Sequence, residues 1–260
     1  MNKLLKLFAS LALVITSSAS FAGQLPVFAG WTAFGSEDQS GTGNYQLTPG
    51  WGGQAFDAEY LFYKLQGNKL SIGLQTGFDI VSNNGQLYSD GHRYYAGDLA
   101  LSFDGNKGTY EYAIDFGNLT KNYADNVKIS AQGNVSGVDT AGLYKANSWN
   151  NDIYYYNNGG YSAPYGVSSG TLLVAANGSN FSEGSGVLGN DKSYYSIFTF
   201  DLSNIAGLQQ SFTLDAHWTM SCGNDAIDGR VKLAKVPEPS PFVLFGLGIA
   251  GLLAARRRLK

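Results

Sequence analysis

Apolar side chains alternate with polar or small ones along several segments of this 260-residue chain. From residue 70 to residue 80, leucine, isoleucine and phenylalanine share one face, while serine, glycine, glutamine and aspartate share the other. The same period of two occurs over residues 99–103, 110–116, 198–202 and 212–220. Strands with one apolar face are typical of antiparallel sheets that contact the core on one side and water on the other. The pattern therefore predicts two such sheets packed as a β-sandwich.

The composition favours the same fold. The chain has 34 glycines, 17 tyrosines and 15 phenylalanines, and only 14% of its residues are charged. Aromatic residues suit half-buried pleated surfaces, and glycine supplies turns. The glycine-rich segment 104–108 predicts a hairpin that joins residues 99–103 to residues 110–116. We predict an all-β, antiparallel, jelly-roll-like β-sandwich, flanked by an N-terminal signal helix and a C-terminal hydrophobic helix.

Residues 1–22 have the pattern of a secretory signal peptide. Lys3 and Lys6 precede an apolar segment, residues 7–15, and small residues then lead to Ala22. The apolar segment is too short for a lasting transmembrane anchor. We therefore predict export through the Sec translocon and cleavage after Ala22 by signal peptidase.

The last 25 residues combine prolines, an apolar segment and a basic cluster. Pro237, Pro239 and Pro241 hold the backbone extended and remove three N–H donors. Residues 242–255 carry no charge and would span about 21 Å as a helix, somewhat less than a hydrocarbon core of roughly 30 Å. Because this segment lacks the polar stripe of a buried core helix, we predict a transmembrane helix. By the positive-inside rule, its cytoplasmic end carries Arg256, Arg257, Arg258 and Lys260.

The order of these parts resembles a known family. Val236, Pro237, Glu238 and Pro239, followed by a hydrophobic segment and terminal arginines, closely resemble the PEP-CTERM sorting signal of Gram-negative bacteria. The resemblance covers only residues 236–260. It implies recognition by exosortase, a membrane protease or transpeptidase, with cleavage near the Pro-Glu-Pro. It also implies a precursor in the inner membrane, transfer to the cell surface or extracellular matrix, and association with extracellular polysaccharide.

Residues 23–235 form the predicted body, and this body is acidic. The two terminal segments contain six of the 17 Lys and Arg residues but only one of the 20 Asp and Glu residues. The body therefore carries 11 basic and 19 acidic side chains, a net charge of about −8. This charge argues against nucleic-acid binding, which requires a basic surface.

The segment 147–166 is rich in tyrosine, asparagine and glycine, and we predict it to be a loop. Aromatic rings stack on the C–H faces of sugars, and asparagine hydrogen-bonds hydroxyl groups. The candidate glycan-binding residues are Trp149, Tyr154, Tyr155 and Tyr156. The alternative is that the rings cap the sandwich and that asparagine and glycine only make turns.

Catalytic motifs are weak in this sequence. His92 falls in a Gly-Asp-rich turn and His217 on the polar face of a predicted strand, and neither belongs to a metal-ligand pattern. Asp57 and Glu59 share one face of a predicted strand and could form a glycosidase pair, but exposed surface charges explain them more simply. We therefore predict a non-enzymatic surface protein. The alternative is a secreted polysaccharide-processing β-sandwich enzyme.

Cys222 is the only cysteine, which is unusual in an exported protein. It lies in the segment 218–225, and similar segments precede the sorting signal in other exosortase-dependent surface proteins. Cys222 is thus a candidate for an external thiol link, or else a small buried hydrophobe. The turns 104–106 and 224–225 could offer oxygen ligands to calcium, but they fit no calcium motif. We predict no metal or cofactor.

Overall fold

The computed structural model describes residues 23–36, 52–89, 91–106, 108–121, 124–125, 137–151, 163–223 and 225–235. The predicted signal peptide with Ala22, and the whole sorting segment 236–260, lie outside these ranges. Tyr154, Tyr155 and Tyr156 lie outside them as well. Within the described residues, no helix is long and apolar enough to cross a membrane. The two predicted terminal helices therefore stay predictions.

The described residues form strands and short turns of 3-10 helix, which confirms the all-β prediction. The turns are Pro26–Phe28, Gln54–Phe56 and Leu202–Asn204. The strands are β1 (Thr32–Ser36), β2 (Ala58–Gln66), β3 (Lys69–Thr76), β4 (Gln86–Ser89), β5 (His92–Tyr95), β6 (Leu99–Ser102), β7 (Tyr112–Asp115), β8 (Ala124–Asp125), β9 (Gly142–Asn150), β10 (Gly166–Ala175), β11 (Phe181–Leu188), β12 (Asp191–Asp201), β13 (Ser211–Thr219) and β14 (Ala226–Ala234).

The strands form three sheets with antiparallel pairing. A five-stranded sheet has the order β1-β2-β3-β12-β11, and a six-stranded sheet has the order β10-β9-β7-β6-β13-β14. A small sheet contains β4, β5 and β8. The predicted hairpin is confirmed, because β6 pairs with β7 through Leu99 and Ile114, and the glycines at 105 and 108 have φ values of 84° and 86°. The jelly-roll-like connectivity stays a prediction.

The main core lies between the two large sheets. Leu70, Ile72 and Leu74 of β3 are buried against residues of the six-stranded sheet, as the alternation predicts. Aromatic rings join the two sides: the Phe103 and Phe200 ring centroids lie 6.3 Å apart. The period of two in the sequence thus corresponds to the inner faces of the sheets.

The outer face of the five-stranded sheet is also covered, which corrects the prediction that it faces water. Leu25 and Phe28, from the first residues described, are buried there with Phe62 and Ile197. The Phe28 ring stacks on Phe62 with a centroid distance of 4.2 Å. The segment before β1 therefore acts as a second apolar layer on this sheet.

Candidate functional site

A cleft of about 720 Å³ lies where β6, β7 and β13 meet the segment 205–211. Its floor consists of buried rings that also belong to the main core, namely Phe103, Tyr112 and Phe212. Its charged residues are Asp104, Glu111, Lys145 and Lys232. An apolar floor with a few polar groups at its edge is typical of ligand-binding clefts.

Two carboxyl groups of the cleft, those of Asp104 and Glu111, interact with the side chain of Ser102. The Ser102 hydroxyl donates to Asp104 Oδ1 at 3.0 Å, and the Asn106 backbone N–H donates to the same oxygen at 2.7 Å. This backbone hydrogen bond, with further help from the side chains of Asn106 and Ser102, lowers the pKa of Asp104. Burial raises the pKa of Glu111, and the charge of Asp104 adds to this effect. Neighbouring carboxyl groups with opposite pKa shifts can divide the roles of base and acid.

The turn that contains Asp104 is one of the two calcium candidates. Both Asp104 oxygens accept hydrogen bonds from Asn106. In the second turn, both oxygens of Asp225 accept from backbone N–H groups, those of Ala58 and Ala226. No group of three or more histidine, cysteine or acidic side chains suited to a metal ion occurs among the described residues. The carboxylate oxygens described in these turns are thus engaged in hydrogen bonds, and the prediction of no metal is not tested by them.

Trp149 lies near the end of β9 and pairs with Val167 of β10, so the prediction that it belongs to a loop is wrong. Its indole N–H donates to the Tyr110 carbonyl at 2.9 Å. The ring is half-buried and packs on a small cluster that includes Tyr144 and Val167. This cluster lies on the outer face of the six-stranded sheet. The structure therefore does not place Trp149 among the aromatic residues of the cleft floor.

Of the two histidines, His92 differs from its predicted setting, and His217 lies on the predicted face of its strand but is buried there. His92 begins β5 instead of lying in a turn. His217 is buried, although it lies on the face of β13 that points away from the core. Its Nδ1 lies 2.8 Å from Asp228 Oδ1, and its ring centroid lies 5.8 Å from that of Tyr110. The packing of Tyr110 against the sheet explains this burial, and the sequence spacing did not indicate it.

Asp57 and Glu59 are only 1% and 2% exposed, so the interpretation as exposed surface charges is wrong. Glu59 Oε1 accepts hydrogen bonds from Gln54 Nε2 and Ser193 Oγ, both at 2.7 Å. Glu59 Oε2 accepts from Gln75 Nε2 at 2.5 Å. These polar groups are buried because the segment before β1 covers this face of the sheet.

Residues 218–223 and 225, from the end of β13 to the start of β14, form a buried corner of the described fold. The Trp218 indole donates to the Gly97 carbonyl at 2.9 Å, and Thr219 Oγ1 donates to the Asp225 carbonyl at 2.6 Å. Ser221 Oγ accepts from the Tyr95 backbone N–H at 3.0 Å. The Ser221 N–H donates in turn to the Tyr95 carbonyl at 2.8 Å. These bonds tie the corner to the neighbouring strand β5 and to the segment that follows it, so Trp218, Thr219, Ser221 and Asp225 have a clear structural role.

Cys222 lies inside this corner and is only 1% exposed. It packs in the main hydrophobic core together with Met220. The burial agrees with the alternative of a small core hydrophobe. An external thiol link stays a prediction, and it would require the corner to open.

Asp98 and Asp115 form a second pair of buried carboxyl groups, which the sequence analysis missed. Asp98 Oδ2 accepts from the Val167 N–H at 2.7 Å, and Asp115 Oδ1 accepts from the Gly117 N–H at 2.6 Å. Burial raises the pKa of both groups, that of Asp115 to about 7. The charge of Asp139 adds to the rise at both. Asp98 directly precedes β6 and Asp115 ends β7, and apolar residues follow or precede each of them in sequence, so only the tertiary structure reveals the pair.

We expect Asp115→Asn to stabilise the protein at pH 8 and to have little effect at pH 4. Burial raises the folded-state pKa, so the protonated acid favours folding below about pH 4, and this contribution is lost as the pH rises to about 7. Each pKa unit corresponds to about 1.4 kcal/mol, so we expect a gain of order 1–3 kcal/mol at pH 8. Urea unfolding at both pH values measures it. The exposed Asp191→Asn serves as the control, and an equal gain at pH 4 and pH 8 would contradict the explanation.

Comparison with protein families identifies the C-terminal segment. Residues 235–258 match the model of the PEP-CTERM protein-sorting motif. The chain carries a PEP-CTERM sorting signal. This confirms the resemblance and implies an exported, membrane-anchored precursor that exosortase processes and that then reaches the surface. No curated protein and no solved structure gives a significant match to the chain.

The PEP-CTERM signal begins directly where the described fold ends. The last strand, β14, ends at Ala234, and the matched residues begin at 235. Cleavage near the Pro-Glu-Pro would therefore remove none of the described strands.

Proposed function

We propose that this is a non-enzymatic, exported surface protein whose β-body associates with extracellular polysaccharide or biofilm matrix. The observation that carries the proposal is the PEP-CTERM match at residues 235–258. In this scheme the Sec translocon and signal peptidase act first, and exosortase then processes a precursor held in the inner membrane. The body, residues 23–235, remains whole outside the cell.

Features of the body support a role in binding glycans. Its net charge of about −8 suits a solvated surface protein. Trp149 is only half-buried and directly precedes, in sequence, a segment rich in tyrosine and asparagine. Aromatic faces with amide neighbours are suited to neutral sugars. We therefore place the proposed glycan contact at the β9 end that carries Trp149.

We expect Trp149→Ala to weaken retention of a neutral polysaccharide about fivefold, because an exposed ring contributes on the order of 1 kcal/mol. The same change should cost about 1–2 kcal/mol of stability, since the hydrogen bond to the Tyr110 carbonyl is lost. A fully buried ring would cost about 3–5 kcal/mol instead. Affinity electrophoresis in neutral polysaccharide gels and urea unfolding measure the two effects separately.

Two control variants separate stacking from structure. Trp149→Phe keeps an aromatic face but lacks the N–H donor, so retention should persist while some stability is lost. Tyr88→Ala removes a ring that is 62% exposed on β4, far from β9 in sequence. It should change neither property. Lower stability with unchanged retention in Trp149→Ala would instead assign the ring a structural role alone.

The carboxyl pair of the cleft favours a second candidate function, a polysaccharide-processing enzyme. Glu111, with its raised pKa, would act as the acid, and Asp104 would stay ionised. Glu111→Gln should then reduce turnover of soluble glycans by about 10²–10⁴-fold, the usual contribution of a general acid. The exposed Glu183→Gln serves as the matched control. Retention of glycans by the wild-type protein without any turnover would exclude this candidate.

A further inference from the structure

The residue that directly follows the predicted signal-peptide cleavage site, Gly23, belongs to the described fold. Gly23 is half-buried, and Leu25, two residues later, is buried on the outer face of the five-stranded sheet. The sheet makes room for this segment with two glycines. A Cβ atom at Gly73 would lie 2.2 Å from Phe28 Cε1, and one at Gly186 would lie 2.6 Å from Leu25 Cδ2. Side chains at either position would therefore displace the first residues of the mature chain.

One buried side chain of this sheet binds the backbone on both sides of residue 24. Gln75 Nε2 donates to the Gly23 carbonyl at 2.6 Å, and Gln75 Oε1 accepts from the Leu25 N–H at 2.9 Å. The same Nε2 also donates to Glu59 Oε2 at 2.5 Å. The side-chain nitrogen of Gln75 thus links the Gly23 carbonyl to the buried Glu59 carboxylate through two hydrogen bonds.

The geometry limits how far the nitrogen of Gly23 can be from that carboxylate. The Gly23 carbonyl and Glu59 Oε2 are each one hydrogen bond from Gln75 Nε2. The nitrogen and the carbonyl oxygen of one residue are separated by three covalent bonds. The nitrogen therefore lies no farther than about 9 Å from Glu59 Oε2.

We propose that Gln75 and Glu59 form a binding site for the α-ammonium group of Gly23, which signal peptidase creates by cutting after Ala22. In the precursor the same nitrogen belongs to a neutral peptide group. After cleavage it carries a positive charge within about 9 Å of the buried Glu59 carboxylate, and this attraction stabilises the folded body. Removal of the signal peptide thereby strengthens the fold as well as releasing the chain.

Other ionisable groups on the described elements around this site include Asp57, Lys64, Lys69, Glu183, Asp191 and Asp201. Tyr60 and Tyr195 share the outer face of the sheet with Phe28. The Lys192 carbonyl accepts from Gln54, which also donates to Glu59. The exposed ammonium group of Lys192 lies 4.6 Å from the Tyr194 ring centroid. Glu59 is thus the acidic group that the hydrogen bonds of Gln75 connect to Gly23.

The test uses the full-length chain exported from bacteria, with its N-terminus established by mass spectrometry. The pKa of the α-amine is measured by NMR of protein labelled at glycine. We expect a pKa about one unit above the ordinary 7.7–8.0, because an opposite charge lies nearby. In Glu59→Gln we expect the ordinary value, and in the control Glu183→Gln, an exposed residue of β11 on the same sheet, the raised value.

A second variant keeps every residue of the body and so avoids a folding defect. Two residues, Ser-Gly, are inserted between Ala22 and Gly23, which moves the α-amine away from Glu59. We expect an ordinary amine pKa and a melting temperature lower by about 2–4 °C at pH 7. This difference should shrink as the pH rises above the raised pKa, where the native amine loses its charge.

Three results would overturn the proposal. The first is an ordinary amine pKa in the native chain, and the second is an unchanged melting temperature in the insertion variant. The third is a mature N-terminus at another residue. If Glu59→Gln fails to fold, the amine pKa and the melting temperature of the insertion variant test the proposal instead. None of these results bears on glycan retention or on the PEP-CTERM signal, so the proposed function is tested separately.

Discussion

Trp218→Ala is expected to lower the free energy of unfolding by about 3–5 kcal/mol, the largest effect of any single substitution considered for this protein. Trp218 is fully buried in the main core, and its ring centroid lies 6.4 Å from that of Phe78. Its indole N–H also holds the Gly97 carbonyl at 2.9 Å. The substitution therefore leaves both a cavity and an unsatisfied buried carbonyl. Urea unfolding of the exported protein measures the loss.

Two further variants separate the cavity from the hydrogen bond. Trp218→Phe keeps most of the apolar volume and removes only the N–H donor, so its cost should fall to about 1–3 kcal/mol. The exposed Tyr88→Ala should change stability by no more than about 0.5 kcal/mol. A cost below about 1 kcal/mol for Trp218→Ala would show that the corner 218–225 does not stabilise the fold.

The inner faces of the sheets could be predicted because they depend on local geometry alone. Side chains in a strand alternate whatever the strand pairs with, so Leu70, Ile72 and Leu74 had to share one face. The hairpin of β6 and β7 followed from a short glycine-rich connection between two such patterns. The strand order could not be predicted, because β3 pairs with β12 more than a hundred residues later.

The outer faces could not be predicted because distant segments cover them. Glu59 has the sequence pattern of an exposed residue, but it is buried where Gln54 and Ser193 contact it and where the segment before β1 packs over the same sheet. His217 is buried in the same way, with Tyr110 packed beside it. Polar residues on the solvent side of a strand carry no local sign that another segment will cover them.

The candidate cleft could be predicted only in part. Asp104 begins the predicted hairpin loop and Glu111 lies on the arm that follows it, so the sequence pattern could predict that the two residues are close. Lys232 and the segment 205–211 come from much later in the chain, and they complete the cleft only in the folded protein. The PEP-CTERM signal needed no fold for its recognition, because its three parts follow one another in sequence.

Replacing Glu238 with alanine, or Pro237 and Pro239 with alanine, is expected to leave the precursor in the inner membrane. These residues form the Pro-Glu-Pro of the matched motif, at which exosortase is expected to act. Proline fixes the backbone in an extended form without N–H donors, and alanine would remove this restriction. Without cleavage, the segment 242–255 and the three arginines that follow it stay attached and hold the chain. We expect nearly complete loss of the protein from the surface, measured by cell fractionation.

The position of the mature C-terminus shows directly whether the sorting signal has been cleaved. In the wild type, mass spectrometry should find a surface protein that lacks residues 242–260, whereas the Glu238→Ala precursor should retain them. Lys260→Ala is the matched control, because this residue belongs to the basic tail but lies outside the matched residues 235–258. It should be processed normally. Because β14 ends at Ala234, none of these changes removes a strand, so the body should unfold with wild-type stability in every variant. Surface protein that still carries Arg256, Arg257 and Arg258 would show that the signal is not cleaved as proposed.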